Sequence, residues 1–100
     1  MIVLINKGPQ QTVVRLKGRF DYDSRREFTE AADAALAEAA GEVRIDLMEV
    51  DYMDSSALGM LLVLRDKAVP LGKTVTLSEC KGFVKKILDV ANFHKLFQTS

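Results

Sequence analysis

The stretch DYMDSSALG, residues 51–59, joins two apolar segments of the chain. Residues 43–48 precede it and alternate apolar with charged side chains, which predicts a β-strand. Residues 57–69 follow and are apolar on nearly every side, which predicts a largely buried helix. Gly59 inside that helix predicts close packing against a strand, because glycine in a helix is otherwise unfavourable by about 1 kcal/mol relative to alanine. An aspartate and two serines therefore stand where a strand ends and a helix begins, and such side chains cap free helical amides.

The rest of the sequence predicts a single domain spanning residues 1–100. Further strands are expected at residues 2–5, 12–17 and 73–77, with Gly18 ending the second and residues 93–97 adding a short edge strand. A helix is expected from a capping box formed by Ser24 and Glu27 as far as Gly41, and another at residues 82–91 with Asn92 as a left-handed cap. The order β-β-α-β-α-β-α(-β) predicts an α/β fold. Its mixed sheet of four to five strands is mostly parallel, with an N-terminal antiparallel hairpin and about three helices.

The overall composition limits the classes of partner. The chain has 14 acidic and 14 basic residues, so no net charge attracts it to nucleic acid or to an anionic membrane. No apolar run reaches the roughly 18 residues of a membrane span, and the sequence begins on a strand-like run rather than a basic leader. The one cysteine, Cys80, fits a reducing compartment. We therefore expect a cytoplasmic protein that binds neither nucleic acid nor membrane, and we expect it to be a monomer.

The sequence offers little for catalysis. The single histidine, His94, lies near the C-terminus, Cys80 has no evident histidine partner, and no glycine-rich phosphate loop occurs. Four aspartates could in principle surround a magnesium ion, as a small hydrolase would require: Asp21, Asp23, Asp51 and Asp54. The simpler interpretation gives these carboxylates loop and capping roles. We expect no enzymatic activity, no cofactor and no metal.

Sites in parallel sheets gather at the carboxyl ends of strands, and two loops are expected there, residues 19–23 and 49–56. For the triplet of Asp54, Ser55 and Ser56, the simple alternative is that one side chain caps the helix and the others are solvated. However, one cap needs only one side chain, and residues 42–54 carry five acids against one base. A phosphoryl group on a serine here would add about −1.5 to −2 charges at a helix start that tolerates them. We therefore interpret this junction as a phosphorylatable switch on a binding domain.

At these residues the chain resembles the STAS domain family, in particular the stand-alone anti-sigma factor antagonists of bacteria. The resemblance rests on four segments: DYMDSSALG, the preceding VRIDLMEV, the loop LKGRFDYDS and the C-terminal FVKKILDVANFHKLFQ. It implies partner switching, in which the domain binds an anti-sigma factor that is a serine kinase with a histidine-kinase-like ATPase fold. The kinase inactivates its antagonist by phosphorylating a serine, which falls on Ser55 in this sequence, and a PP2C-type phosphatase reverses the modification.

The resemblance also implies a partner-binding surface around Ser55. Its expected members are Asp21, Asp23, Met53, Asp54, Ser55, Ser56 and Met60. Two features depart from many members of the family: Ala57 stands where glycine is frequent, and the sequence ends at Ser100 without a further C-terminal helix, so one side of the sheet is expected to be less covered. An alternative keeps the fold without the switch, as a constitutive STAS subunit of an ABC-type lipid transporter or another non-transcriptional adaptor.

Overall fold

The computed structural model describes residues 1–99 as one five-stranded mixed sheet with three helices. The strands are β1 (Ile2–Lys7), β2 (Gln11–Phe20), β3 (Glu42–Met53), β4 (Thr74–Ser78) and β5 (Gln98–Thr99). The helices are α1 (Arg25–Glu38), α2 (Ser55–Ala68) and α3 (Gly82–Val90). The strands lie in the order β1-β2-β3-β4-β5, with β1 antiparallel to β2 and every later neighbour parallel. This arrangement confirms the predicted fold class.

The helices cover one face of the sheet and leave the other open. Each parallel crossover steps to the next strand in the same direction, and right-handed crossovers of that kind place their helices on one face. Alternate strand residues such as Val14, Ile45 and Leu77 are fully buried beneath the helices. The open face carries charged pairs instead, including Arg15 with Asp46, where the nitrogen and oxygen lie 3.2 Å apart.

Strands β2 and β3 both run several residues further than the sequence predicts. Gly18 does not end β2: it has a φ of 94° at a register irregularity, and the strand continues to Phe20. Residues 49–53 do not form the predicted loop, because they belong to β3 as far as Met53. The two extensions stabilise each other, because the added residues of β2 and β3 form backbone hydrogen bonds with one another. An ion pair also joins them, with Lys17 Nζ 3.3 Å from a carboxylate oxygen of Glu49.

Two predictions about the helices are corrected: the capping box at the start of α1 and the burial of α2 on nearly every side. Ser24 is the N-terminal flanking residue of α1, but its side chain makes no capping hydrogen bond, and the helix ends at Glu38, before Gly41. In α2 only one face is buried, and Val63 on the other side is 53% exposed. A Cβ added to Gly59 would meet no atom within 4 Å, so this glycine does not mark close packing.

The C-terminal segment combines one confirmed prediction with one correction. Asn92 adopts the predicted left-handed conformation, with φ 58°. Residues 93–97 do not form a strand: Phe93–Lys95 make a 3-10 turn, and the buried rings of Phe93 and Phe97 stack with their centroids 5.3 Å apart. The edge strand lies at residues 98–99, and Ser100 lies outside the described residues. Across residues 1–99, none of the helices has the length and apolar character that crossing a bilayer requires.

Candidate functional site

The sheet brings the two predicted loops to one place. Phe20 and Met53, which end β2 and β3, are directly paired in the parallel register. The next residues, Asp21 and Asp54, therefore leave the sheet side by side, on strands about 4.8 Å apart. Helix α2 begins at Ser55, immediately after Asp54. The candidate site is this shared end of the two strands and the first turn of α2.

Asp54 caps α2. Its backbone is extended, and its carboxylate accepts a hydrogen bond of 3.1 Å from the backbone N–H of Ala57. The Asp54 carbonyl also accepts bonds from the N–H groups of Ala57 and Leu58. One member of the polar triplet is thus used for helix capping, which leaves the two serines for other roles.

Replacing Asp54 by alanine is expected to destabilise the fold by about 1 kcal/mol, because the amide of Ala57 loses its side-chain acceptor. Urea unfolding followed by circular dichroism measures this loss. Asp54→Asn keeps a capping oxygen and should change stability by only a few tenths of a kcal/mol, roughly the range of good caps. Asp51→Ala, an exposed aspartate of the same stretch, should stay within about 0.5 kcal/mol of the parent. Equal losses in all three variants would contradict the capping role.

Ser55 is exposed on the first turn of α2. Within residues 1–99 its hydroxyl has no hydrogen-bond partner. The first amides of a helix have no acceptor inside that helix, and the helix dipole makes this end positive. Phosphorylation of Ser55 would therefore place negative charge in solvent at a favourable position, without removing an interaction that holds the fold. Ser56, by contrast, is half-buried.

Asp21 anchors the neighbouring loop. Its carboxylate accepts hydrogen bonds from Arg19 Nε at 3.3 Å and from Ser24 Oγ at 3.2 Å. Ser24 Oγ also lies 2.8 Å from the Arg19 carbonyl oxygen. Burial would raise the pKa of the Asp21 carboxyl, but the hydrogen bonds from Arg19 and Ser24 and the charge of Arg19 outweigh it, so the pKa lies below its usual 3.8. Asp21 is therefore ionised at neutral pH, and Asp23 beside it is exposed.

A stack of three side chains that the sequence did not reveal lies beside this loop. The Arg19 guanidinium lies over the Tyr52 ring, 4.0 Å from its centroid. Tyr52 stacks in turn with Phe83 of α3, with ring centroids 6.4 Å apart, and Phe83 is 53% exposed. The parallel register explains the first contact, because Arg19 is paired directly with Tyr52. Nothing in the local sequence indicates the second.

An apolar groove of about 410 Å³ runs between α1 and α2, starting at Ser56. Its α2 side is formed mainly by Gly59, Met60 and Val63, and its far end lies at Lys67, whose ammonium is 2.9 Å from Asp33. We call this feature the α1–α2 groove.

Met53 does not contribute to this surface. It is only 2% exposed, because it points into the core beneath the helices, so its expected role in partner contact is corrected. Met60 is half-buried and lines the α1–α2 groove, so it remains available to a partner.

The aspartates do not assemble into a metal site. Among residues 1–99, no three histidine, cysteine, aspartate or glutamate side chains are grouped so that they could hold an ion. Asp54 is used as a helix cap and Asp21 as a loop anchor.

The chain is similar to known proteins both in sequence and in structure. A family model described as Mlab, STAS domain, matches residues 3–98. A STAS-domain containing protein of Pseudomonas aeruginosa (strain UCBPP-PA14) is 38% identical over 91 residues, which cover 91% of this chain and 89% of that protein. An anti-sigma factor antagonist from Mycobacterium paratuberculosis is similar in structure, with a TM-score of 0.87 at 18% identity, covering 98% of this chain and 83% of its own.

The anti-sigma factor antagonist SpoIIAA has the same fold. Its unphosphorylated form matches with a TM-score of 0.82 at 16% identity, covering 99% of this chain and 88% of that chain. The phosphorylated form of the Bacillus cell fate determinant SpoIIAA matches with a TM-score of 0.75 at 15% identity, covering 99% and 91%. At these identities the structural matches show the fold alone. The family model spans nearly the whole chain and the Pseudomonas relative exceeds one-third identity, so this chain belongs to the STAS domain family.

Proposed function

We propose that this domain is an anti-sigma factor antagonist that acts by partner switching in the bacterial cytoplasm. The unphosphorylated domain binds an anti-sigma factor that is a serine kinase with a histidine-kinase-like ATPase fold. Phosphorylation of Ser55 releases that partner, and a PP2C-type phosphatase restores binding. The observation that carries this proposal is the exposed Ser55 hydroxyl on the first turn of α2, next to an open apolar groove. The domain is a substrate of these enzymes and not an enzyme itself.

The groove explains how a partner could be sensitive to Ser55. Ser56, Met60 and Val63 are spaced by four and three residues, and Gly59 adjoins Met60, so they follow one side of α2. A partner that covers this stripe also covers the start of the helix. We propose that Asp21, Asp23, Asp54, Ser55, Ser56 and Met60 contribute to the contact.

The charges near Ser55 explain why a phosphate would be disruptive to a partner and harmless to the domain. The carboxyl side chains of Asp21 and Asp54 leave the sheet at the same edge. The nearest cation at Asp21, Arg19, is already engaged with that carboxylate and with the Tyr52 ring. A phosphate would add about −1.5 to −2 charges to this acidic edge, which an interface built for a neutral hydroxyl would have to desolvate.

Intact-mass measurement after incubation with the candidate kinase and ATP tests the site. The parent and Ser56→Ala are expected to gain one phosphate, and Ser55→Ala none. A phosphate that persists in Ser55→Ala would move the site, with Ser56 as the next candidate. No phosphate on any variant, from a kinase that nevertheless binds the domain, would contradict the switch.

A second function keeps the fold without the switch, and the family model described as Mlab, STAS domain, is compatible with it. In that case the domain is a constitutive subunit of an ABC-type lipid transporter or another non-transcriptional adaptor, and it binds its ATPase partner whether or not Ser55 is modified. One experiment distinguishes the two functions. If the domain is a constitutive subunit, the parent and Ser55→Asp bind the partner equally well.

A further inference from the structure

Strand β1 leaves one edge of the sheet without a partner among the described residues. All six residues of Ile2–Lys7 are paired with β2 on one side, and β1 is the first strand in the sheet order. In an antiparallel pair, alternate residues direct their N–H and C=O groups to opposite sides of the strand. Half of the backbone polar groups of β1 therefore point outward, where water or another strand must satisfy them.

The side chains of β1 do not protect this edge. Ile2, Leu4 and Ile5 are 59%, 48% and 44% exposed. Neither a charge nor a proline interrupts the strand before Lys7, and its register with β2 is unbroken. The opposite edge of the sheet is different, because β5 has only two residues, Gln98–Thr99, both polar. Natural sheets usually guard a long edge with charges, prolines or bulges, so the unguarded apolar β1 indicates a strand that is covered in use.

We propose that β1 pairs with β1 of a second copy of this chain, antiparallel and across a two-fold axis, to make one continuous sheet. The strand is self-complementary in the register that places Leu4 on the axis. In that register Val3 lies opposite Ile5 of the second copy, and Ile2 lies opposite Asn6. Lys7 lies at the end of the paired segment, opposite Met1 of the second copy, so no two charged side chains oppose each other.

The faces of the two sheets match in this register. Val3 and Ile5 lie opposite the buried residues Leu16 and Val14 in β2, so both point to the helix-covered face. Leu4 lies opposite Arg15, which pairs with Asp46 on the open face, and Ile2 and Asn6 share that face because strand side chains alternate. Pairing thus covers Ile5 on the core side and Leu4 on the open side. An identical strand about a two-fold axis closes the interface, and the sheet does not grow further.

This dimer is separate from the proposed switch. β1 lies two strands from β3, which leads into Ser55, so both copies keep the start of α2 accessible. The proposal replaces the monomer expected from the sequence.

Cysteine cross-linking in a Cys80→Ser background tests both the contact and its register. Directly opposite residues of antiparallel strands have Cα atoms about 4.5–5.5 Å apart, within disulfide range. Leu4→Cys is expected to form a covalent dimer under mild oxidation. Ile2→Cys and Asn6→Cys are each expected to stay monomeric alone and to cross-link when mixed. Met48→Cys, at 49% exposure, is the matched surface control for Leu4 at 48%.

Sedimentation velocity over a concentration series tests the association itself. The parent is expected to dimerise with rising concentration, and Leu4→Lys to dimerise at least about tenfold more weakly, because it places two cations opposite each other. Met48→Lys should dimerise like the parent, and Leu4→Lys should still accept phosphate on Ser55. A parent that stays monomeric at every concentration, or Leu4→Cys that cross-links no faster than Met48→Cys, would overturn the proposal. Binding of β1 only to an extended segment of a different protein would overturn it as well.

Discussion

Replacing Ser55 by aspartate is expected to weaken partner binding by several hundred-fold to a thousand-fold, a loss of about 3–4 kcal/mol. The hydroxyl is exposed at the start of α2, so a partner that covers this helix end must bury whatever the side chain carries. A carboxylate there would join the acidic side chains of Asp21 and Asp54 at the same edge of the sheet. The fold itself should be unaffected, because acidic side chains are favourable in the first turn of a helix. Unfolding free energies within about 0.5 kcal/mol of the parent would show this.

Isothermal titration calorimetry with the unmodified partner kinase measures the effect. Ser55→Ala should bind like the parent, since it removes only a hydroxyl that has no hydrogen bond within residues 1–99. Ser55→Asn is the matched control, because it has the shape of aspartate without its charge, and it should bind within a few-fold of the parent. If Ser55→Asn is as weak as Ser55→Asp, size rather than charge decides binding. If Ser55→Asp binds like the parent, the switch fails and the constitutive adaptor is favoured.

The sequence predicted the boundary between strand and helix at the candidate site because its signals are local. A strand pattern, a capping aspartate and a helical run follow one another in residues 43–69, and the structure places Asp54 at that boundary. The proximity of Asp21 was predictable from topology, because parallel neighbours end at the same edge. Glycine was a poor guide to detail, since Gly18 lies inside a strand irregularity and Gly59 faces open space at the groove.

What the sequence did not reveal depends on pairing between distant residues. Arg19 and Tyr52 meet because of the register of β2 and β3, which includes two irregularities that no local pattern specifies. The α1–α2 groove depends on how two helices pack, and the apolar α2 sequence alone does not say which side is left open. Met53 was misplaced for the same kind of reason. The sequence predicted it at the surface, but β3 continues through Met53 and directs its side chain into the core.

Replacing Phe20, the last residue of β2, by alanine is expected to destabilise the domain by about 3–5 kcal/mol. The sequence placed Phe20 in a loop, but it ends β2 with none of its surface exposed, and its ring centroid lies 4.8 Å from that of Phe28 in α1. Removing the ring leaves a cavity where the sheet, α1 and the Asp21 loop meet. A loss of this size is a large part of the roughly 5–15 kcal/mol that stabilises a typical domain.

Urea unfolding with a constant denaturant slope measures this loss, and Phe83→Ala is its matched control. Phe83 is also an aromatic residue in a ring stack, but it is 53% exposed, so its removal creates no cavity. We expect Phe83→Ala to cost no more than about 1.5 kcal/mol, since an aromatic pair contributes about 0.5–1.5 kcal/mol beyond the area it buries. Similar losses in the two variants would contradict the assignment of Phe20 to the core. A small loss for Phe20→Ala would mean that the end of β2 is not packed against α1, and the Asp21 loop would then lack the support that holds it beside Ser55.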